Sequence, residues 1–326
     1  MWKGGFRLAE EYTYAISRVR AKELSLLTQQ DLEQLMECQT EEECLQILYE
    51  KGWGKDGEGE TILSVETCKT WEFLRELVPD LTGFRIFLIP ADYHNLKTAI
   101  KSVVTDRYPE RRYLLWGTIE PEVLEEAVRN HRFSDLPEDM QAPAAKAFET
   151  LLHTRDGQLC DTVLDRAALL QIQKAGRQSE NHLIQRYAEL LLATSNIKIA
   201  VRGQKLGKPL GFFQEAMVPC ESLDIGDLAR AAVSGQDAVM EYLSHTDYAQ
   251  GVEALTQSSS AFEKWCDDNR MKLMKTQKTN PFTIGPLVAY LLARETEIKA
   301  VRLILSGKRN RLDDRIVKER LRDLYV

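Results

Sequence analysis

The sequence has no long apolar segment. Its longest unbroken apolar run, residues 287–293, has seven residues, whereas a helix needs about 20 to cross a bilayer. The first residues are not followed by the apolar stretch of a secretory signal peptide. We therefore expect a soluble, cytoplasmic protein that reaches a membrane only by binding a membrane protein.

Clusters of catalytic or metal-binding residues are also missing. The five histidines lie more than four residues from one another and from any cysteine, so local metal-ligand spacing is absent. There is no G-x-S-x-G or H-E-x-x-H motif, and the glycine-rich segment 51–59 lacks the phosphate-loop pattern. Six scattered cysteines without a C-x-x-C pair are expected to be reduced, packed thiols. We predict a protein that is not an enzyme and that holds neither cofactor nor metal.

An excess of positive charge is absent too. The 43 Lys and Arg residues are outnumbered by 50 Asp and Glu residues, which gives a net charge of −7. A uniformly basic surface for nucleic acid is therefore excluded. Strand-like alternation is almost lacking, whereas apolar residues recur at helical spacing. With 44% hydrophobic residues in 326, the chain can form more than one core, and we predict an all-α fold.

One helical stretch occurs three times, at residues 87–101, 190–202 and 290–302. When the copies are aligned on a shared lysine, Lys97, Lys198 and Lys299 follow one another at intervals of 101 residues. This period is longer than that of the short-repeat solenoids, whose units run about 20–50 residues. The repeat predicts three similar helical domains in a pseudo-threefold arrangement, with boundaries at 1–112, 113–212 and 213–326.

Six positions in the three copies are candidates for a partner interface: Asn95, Lys97, Asn196, Lys198, Glu297 and Lys299. Two interpretations stay open. The lysines either lie on a solvated helix face, or they form a rim of equivalent cations that meets acidic or carbonyl groups of a partner. The two asparagines could cap the end of a neighbouring helix.

Local signals predict several helix ends. Threonines followed by acidic residues indicate N-caps, and Pro121 suits a first helical turn. Glycines at the ends of the second and third copies indicate helix stops. The segment 205–219, with Gly207, Pro209 and Gly211, is the best linker candidate. The positions concerned are Thr28, Thr40 and Thr118 as caps, Gly203 and Gly307 as stops, Gly285-Pro286 as a start, Pro90 in a first turn or at a break, and 312–326 as an amphipathic helix.

Longer motifs in the same regions resemble a known family. They are Tyr12-Thr-Tyr-Ala-Ile-Ser-Arg-Val-Arg20, Ile89-Pro-Ala-Asp-Tyr-His-Asn-Leu-Lys97, Glu297-Ile-Lys-Ala-Val-Arg-Leu-Ile-Leu-Ser-Gly-Lys308 and Arg320-Leu-Arg-Asp-Leu-Tyr-Val326. In combination and order they are similar to the C subunit of the bacterial and archaeal V/A-type rotary ATPases, which is the counterpart of the d subunit of the eukaryotic vacuolar ATPase. The resemblance extends from about residue 8 to residue 326.

The resemblance implies a funnel-shaped, all-helical rotor subunit without catalytic residues. Such a subunit receives the lower end of the central shaft, sits on the membrane ring of proteolipid subunits, and carries torque between ATP hydrolysis or synthesis and H⁺ or Na⁺ transport. Its implied partners are therefore the central-shaft subunits and the proteolipid ring. The alternatives are a helical-repeat scaffold for an unrelated protein partner and an enzyme with a dispersed helical site.

Overall fold

A computed structural model describes residues 4–54, 59–106 and 113–326, with side chains from residue 12 in the first range and residue 61 in the second. Over these ranges the chain is helical and has no β-strand, which confirms the all-α prediction. Residues 55–58, in the glycine-rich segment, lie outside the described part.

The described helices, in chain order, are α1 (Gly4–Glu23), α2 (Gln29–Glu37), α3 (Glu41–Glu50), α4 (Gly59–Leu77), α5 (Arg85–Thr105), α6 (Pro121–Arg129), α7 (Glu138–Thr154), α8 (Gly157–Gln178), α9 (His182–Lys205), α10 (Leu210–Ala216), α11 (Ile225–Ser234), α12 (Gln236–Ser244), α13 (Ala249–Gln257), α14 (Ser259–Lys275), α15 (Gly285–Arg309) and α16 (Asp314–Arg320). Short 3-10 helices occur at Thr82–Phe84, Phe133–Asp135 and Thr276–Thr279.

The chain divides into two compact units. The terminal unit combines both ends of the chain, Met1–Leu81 and Gly251–Val326, and the central unit is Thr82–Gln250. The predicted division into three domains of about 100 residues stays a prediction.

Helix α15 is the centre of the terminal unit. It packs against α1, α2, α3, α4, α14 and α16. The core joins apolar side chains of α2–α4, among them Leu35 and Ile62, to Val301 and Ile304 of α15. Because these partners are far apart in sequence, this core forms only when the two ends of the chain come together.

The central unit is built around α5 and α8. Helix α8 packs against α5, α7 and α9, and α5 also packs against α6 and α7. Its main core includes Leu96 and Ile100 of α5, Leu124 of α6, and Cys160 and Leu164 of α8. This core crosses the predicted boundary at residue 112, since α5 lies on one side of it and α6–α8 on the other.

Two of the three predicted N-caps are confirmed. The side chain of Thr28 accepts a hydrogen bond from the N–H of Asp31, whose carboxylate bonds back to complete a capping box. Thr40 accepts from the N–H of Glu43 in the same way. Thr118 is not a cap, because α6 begins at Pro121 and the Thr118 hydroxyl donates instead to Asp92, at 2.7 Å.

Gly203 and Gly307 do not end their helices, contrary to prediction. Both lie inside the helix where another element approaches closely. A Cβ at Gly203 would be 2.5 Å from the Phe213 ring, and one at Gly307 would be 2.7 Å from Val317. Close packing, rather than helix termination, therefore explains these two glycines.

Three further predictions need correction. The segment proposed as a linker contains α10, whose Phe213 is fully buried. Pro90 lies inside α5 rather than in its first turn. The C-terminal helix, predicted over 312–326, is the shorter α16, which ends at Arg320. The residues after it are not helical, and two of them, Leu324 and Tyr325, are buried. The start of α15 at Gly285-Pro286 is confirmed, with the proline in the first turn.

Candidate partner-binding site

The repeated helices α5 and α9 use an asparagine in the same way. The Asn95 amide accepts a hydrogen bond from the N–H of Leu114 at 2.8 Å and donates to its carbonyl at 2.9 Å. The Asn196 amide accepts from the N–H of Val218 at 3.0 Å and donates to its carbonyl at 2.8 Å. One side chain thus satisfies both polar groups of one residue of backbone.

Helix α15 has a carboxylate at the corresponding position. Glu297 accepts a hydrogen bond from the N–H of Leu27 at 2.5 Å and pairs with Arg294. In all three copies, the residue two positions before the shared lysine therefore accepts a hydrogen bond from a backbone N–H in the segment that leads to a short helix, which is α6, α11 or α2. The three copies share an internal contact as well as a sequence pattern.

The three residues that make this contact are also three of the six positions predicted for a partner interface. Asn95, Asn196 and Glu297 are at most 2% exposed, and their polar groups bond to backbone within their own unit. In the chain as described, these three side chains are covered by their own unit, whereas Lys97, Lys198 and Lys299 are less buried. The assignment of the six positions to a partner interface stays a prediction.

A buried ionic cluster surrounds Glu297 in the terminal unit. Arg294 pairs with Glu297 and also with Glu66 of α4, at 2.6 Å. Its guanidinium lies 5.0 Å from the centre of the Trp53 ring. The other oxygen of Glu66 accepts from the N–H of Gly54 at 2.9 Å. Buried charges are tolerated when they are paired and hydrogen-bonded as they are here.

Two more carboxylates hold backbone in the central unit. Asp92 of α5 accepts from the N–H of Thr118 at 2.6 Å, and Glu189 of α9 accepts from the N–H of Ser222 at 2.8 Å. Burial raises the pKa of Asp92, although the hydrogen bonds from Thr118 oppose this. Helices α5 and α9 are thus each tied at two points to the segment that leads to the next short helix.

The structure brings two of the three repeated lysines together. Lys97 of α5 and Lys198 of α9 line one groove in the central unit. Lys97 forms an ion pair with Asp165 of α8. Lys299 belongs to the terminal unit, where it is exposed and lowers the pKa of the nearby Asp267.

Sequence reasoning missed the acidic partners of these lysines. Lys101 lies one turn beyond Lys97 and pairs with Asp161 at 2.7 Å, as Lys97 pairs with Asp165. Two lysines four residues apart on α5 therefore face two aspartates four residues apart on α8. The sequence does contain a signal for these pairs. Lysines four residues apart share one face of a helix, and so do aspartates four residues apart, so two such helices can form two ion pairs.

Burial affects the acidity of several thiols. None of the six cysteines, all of which lie in the described ranges, forms a disulfide, and burial raises the pKa of Cys160 to about 11 and that of Cys44 to about 12. These two side chains are therefore protonated at neutral pH. Within the described residues, no group of three or more His, Cys, Asp or Glu side chains could hold a metal ion. None of the described helices has both the length and the apolarity needed to cross a membrane.

The sequence matches a known family and several relatives over nearly its whole length. The sequence model described as "ATP synthase (C/AC39) subunit" matches residues 15–320. The C subunit of the V-type sodium ATPase of Enterococcus hirae is 25% identical over 331 aligned positions, which cover 97% of this chain and 99% of the relative.

Two further relatives agree. The C subunit of the V-type ATP synthase of Thermus thermophilus is 26% identical, with 93% of this chain and 95% of the relative covered. The C subunit of the A-type ATP synthase of Thermococcus kodakarensis is 22% identical, with 94% and 89% covered. The all-α fold, the repeated helices with their shared backbone contact, and these matches lead to one assignment: the chain belongs to the ATP synthase (C/AC39) subunit family and is a structural, non-catalytic subunit of a V/A-type rotary ATPase.

Proposed function

We propose that the chain is the rotor coupling subunit of its ATPase, a socket that links the central shaft to the membrane proteolipid ring. In this role it transmits torque between ATP hydrolysis or synthesis and the transport of H⁺ or Na⁺. It would lie on the cytoplasmic side and be attached to the membrane only through the complex. The other subunits of the ATPase are its partners, and the shaft and the ring are the two that we propose.

The observation that carries the proposal is the shared backbone contact of the three long helices. A part that transmits torque must resist deformation, and buried polar side chains that satisfy backbone groups fix one arrangement of the chain. Asn95, Asn196 and Glu297 provide such fixed points at 101-residue intervals along the chain. A scaffold for a single unrelated partner would not need this repetition.

The test is recovery of the tagged, full-length chain from native membranes that contain the intact ATPase. We expect central-shaft and proteolipid-ring subunits to copurify in fixed ratio. Recovery of an unrelated protein in place of both would support the scaffold alternative and overturn the coupling proposal.

The repeated lysines provide a sharper version of the same test. Lys198→Glu combined with Lys299→Glu should reduce recovery of the partner subunits if these cations meet acidic groups. Lys146→Glu on α7, an exposed lysine outside the repeat, is the matched control and should leave recovery unchanged. Equal recovery from the double variant and the control would remove the lysines from the interface without affecting the family assignment.

A further inference from the structure

The central unit contains an open groove along α8. Helix α8 packs against α5 on one side and α9 on the other, and the groove between them has a volume of about 610 Å³. The lining residues of α8 run from Gln158 to Ile172 at helical spacing. At about 1.5 Å per residue this stripe is roughly 21 Å long, so the groove matches the length of a helix of about 14 residues.

The groove has an apolar part near the end of α9. It is lined by Ile199 of α9, by Leu206, which directly follows α9, and by Phe212 of α10. Leu206 is 62% exposed. Exposed apolar side chains beside a concave surface are characteristic of interaction sites. This part of the groove therefore offers apolar area that a partner could cover.

The groove is also more positive than the chain as a whole. Its acidic side chains are Asp161 and Asp165, and they pair with Lys101 and Lys97. Lys101 does not line the groove, but Lys97, Lys198 and Arg202 do. The lining therefore has three cations and two carboxylates, whereas the whole chain has a net charge of −7. A local positive potential on an acidic protein favours an acidic partner at this place.

We propose that this groove binds an amphipathic helix from elsewhere in the ATPase, with its apolar face on Ile199 and Leu206 and acidic residues beside Lys198 and Arg202. The inference rests on the proposed function and names the chemistry of one contact. The concave shape and its length favour a helix in a groove. A bilayer surface is flat, so it would contact the edges of the groove but not the residues of α8 at its base.

The first experiment is photo-crosslinking in native membranes. Leu206 is replaced by p-benzoylphenylalanine in the full-length chain within the assembled ATPase. Leu152 of α7, which is 42% exposed and does not line the groove, receives the same replacement as the control. We expect position 206, and not position 152, to crosslink to another protein of the ATPase, within a segment that has helical apolar spacing and flanking acidic residues.

Three outcomes would overturn the inference. They are crosslinks from position 206 to phospholipid alone, crosslinks to a segment without acidic residues, and no crosslink although the chain still copurifies with the complex. In the last case the coupling proposal stands and only the groove assignment fails. Loss of copurification of the unsubstituted chain would instead count against the coupling proposal.

Charge reversal tests the electrostatic part. Lys198→Glu with Arg202→Glu should lower the crosslink yield from position 206 by about tenfold or more, the scale expected for close interfacial charge pairs. Lys146→Glu should not change the yield. Lys198→Gln, which removes the charge without reversing it, should give a smaller loss. Introducing lysine at the acidic positions of the crosslinked segment should restore the yield, and an unchanged yield in the double variant would contradict the proposal.

Discussion

The amide of Asn196 satisfies a donor and an acceptor of the same buried residue, Val218. Replacement by alanine would leave both backbone groups without this partner. A buried unsatisfied group costs about 1–3 kcal/mol. We therefore expect Asn196→Ala to lower the free energy of unfolding by about 2–4 kcal/mol, measured by urea denaturation of the purified chain.

Asn130→Ala is the matched control for this prediction. Asn130 is exposed at the end of α6, and its loss should change stability by no more than about 0.5 kcal/mol. Asn95→Ala should resemble Asn196→Ala, because Asn95 bonds to Leu114 in the same way. Equal stability of the Asn196 and Asn130 variants would mean that the shared contact is not a fixed point of the fold.

Asp267 links stability to pH in the terminal unit. Burial alone would raise its pKa, but the positive charges of Lys299, Arg270 and Arg322 outweigh this and hold the pKa below its ordinary value. Its oxygens lie 3.1 Å from Arg270 and 3.1 Å from Arg322. A carboxyl group with a lowered pKa stabilises the folded state above its unfolded pKa, and this contribution is lost as pH falls.

We therefore expect Asp267→Asn to destabilise the chain by about 1–3 kcal/mol at pH 7. The difference from the unsubstituted chain should shrink as the pH falls below about 4, where the carboxyl of the unfolded chain becomes protonated, and should vanish once the pH is below the lowered pKa of the folded carboxyl. Denaturation curves at several pH values measure this difference. Asp247→Asn, at an exposed position, should have little effect throughout. A difference that grows on acidification would show that the sign of the pKa shift is wrong.

At the scale of elements, two glycines allow the effect of helix–helix packing on stability to be distinguished from the effect of helix propensity. A Cβ at Gly176 of α8 would lie 2.5 Å from the Cβ of Ala188 on α9, whereas a Cβ at Gly211 of α10 would meet nothing within 4 Å. We expect Gly176→Ala to destabilise by about 1–3 kcal/mol through overpacking. Gly211→Ala should instead be neutral or stabilise by up to about 1 kcal/mol, because alanine favours the helix.

Thermal and chemical denaturation of the two glycine variants measure these effects. Both substitutions add the same methyl group to a helix, so the difference between them isolates the contact of α8 with α9. If both variants were stabilised, the helices could separate at little cost, and the fixed spacing of the groove walls would be in doubt.

The ionic cluster of α4 and α15 gives a second prediction at this scale. Arg294→Met leaves the buried Glu297 carboxylate without its cation and leaves Glu66 with Lys69 alone, whose Nζ lies 2.7 Å from Glu66. Breaking a buried ion pair in this way costs about 3–5 kcal/mol. Adding Glu66→Gln and Glu297→Gln removes the unpaired charge, so the triple variant should recover part of the loss. The test is to measure the free energies of unfolding of the single and triple variants. A triple variant that is less stable than Arg294→Met would contradict the prediction.

At the scale of the whole molecule, features with local causes could be predicted from the sequence. The capping box at Thr28 and Asp31 and the start of α15 depend on neighbours within a few residues. The reason for a glycine depends instead on what packs against it. The sequence predicts a helix stop at Gly203, because no sequence pattern near Gly203 reveals that the Phe213 ring packs against it. The hydrogen bond from the N–H of Leu27 to Glu297 joins residues that are 270 positions apart. In the sequence, only the regular spacing of the three lysines indicated that Glu297 corresponds to Asn95 and Asn196.

The division of the chain into compact units also depends on contacts between residues that are distant in sequence. The 101-residue repeat predicts three domains, whereas contacts define a central unit, Thr82–Gln250, and a terminal unit made from both ends of the chain. A sequence repeat shows which segments are similar, but packing decides which segments share a core. Helix α5 belongs to the first repeat and packs against α6, α7 and α8.

This leads to a prediction about fragments. Residues 82–248 contain the whole core that joins Leu96 and Ile100 to Leu124 and Leu164, so this fragment should be helical and unfold cooperatively by circular dichroism. Residues 1–81 alone should have little stable structure, because the partners of Leu35 and Ile62 on α15 are missing. Mixing 1–81 with 251–326 should restore helicity. If residues 113–212 folded cooperatively and 82–248 did not, the three-domain boundaries would describe the folding units better than the contacts do.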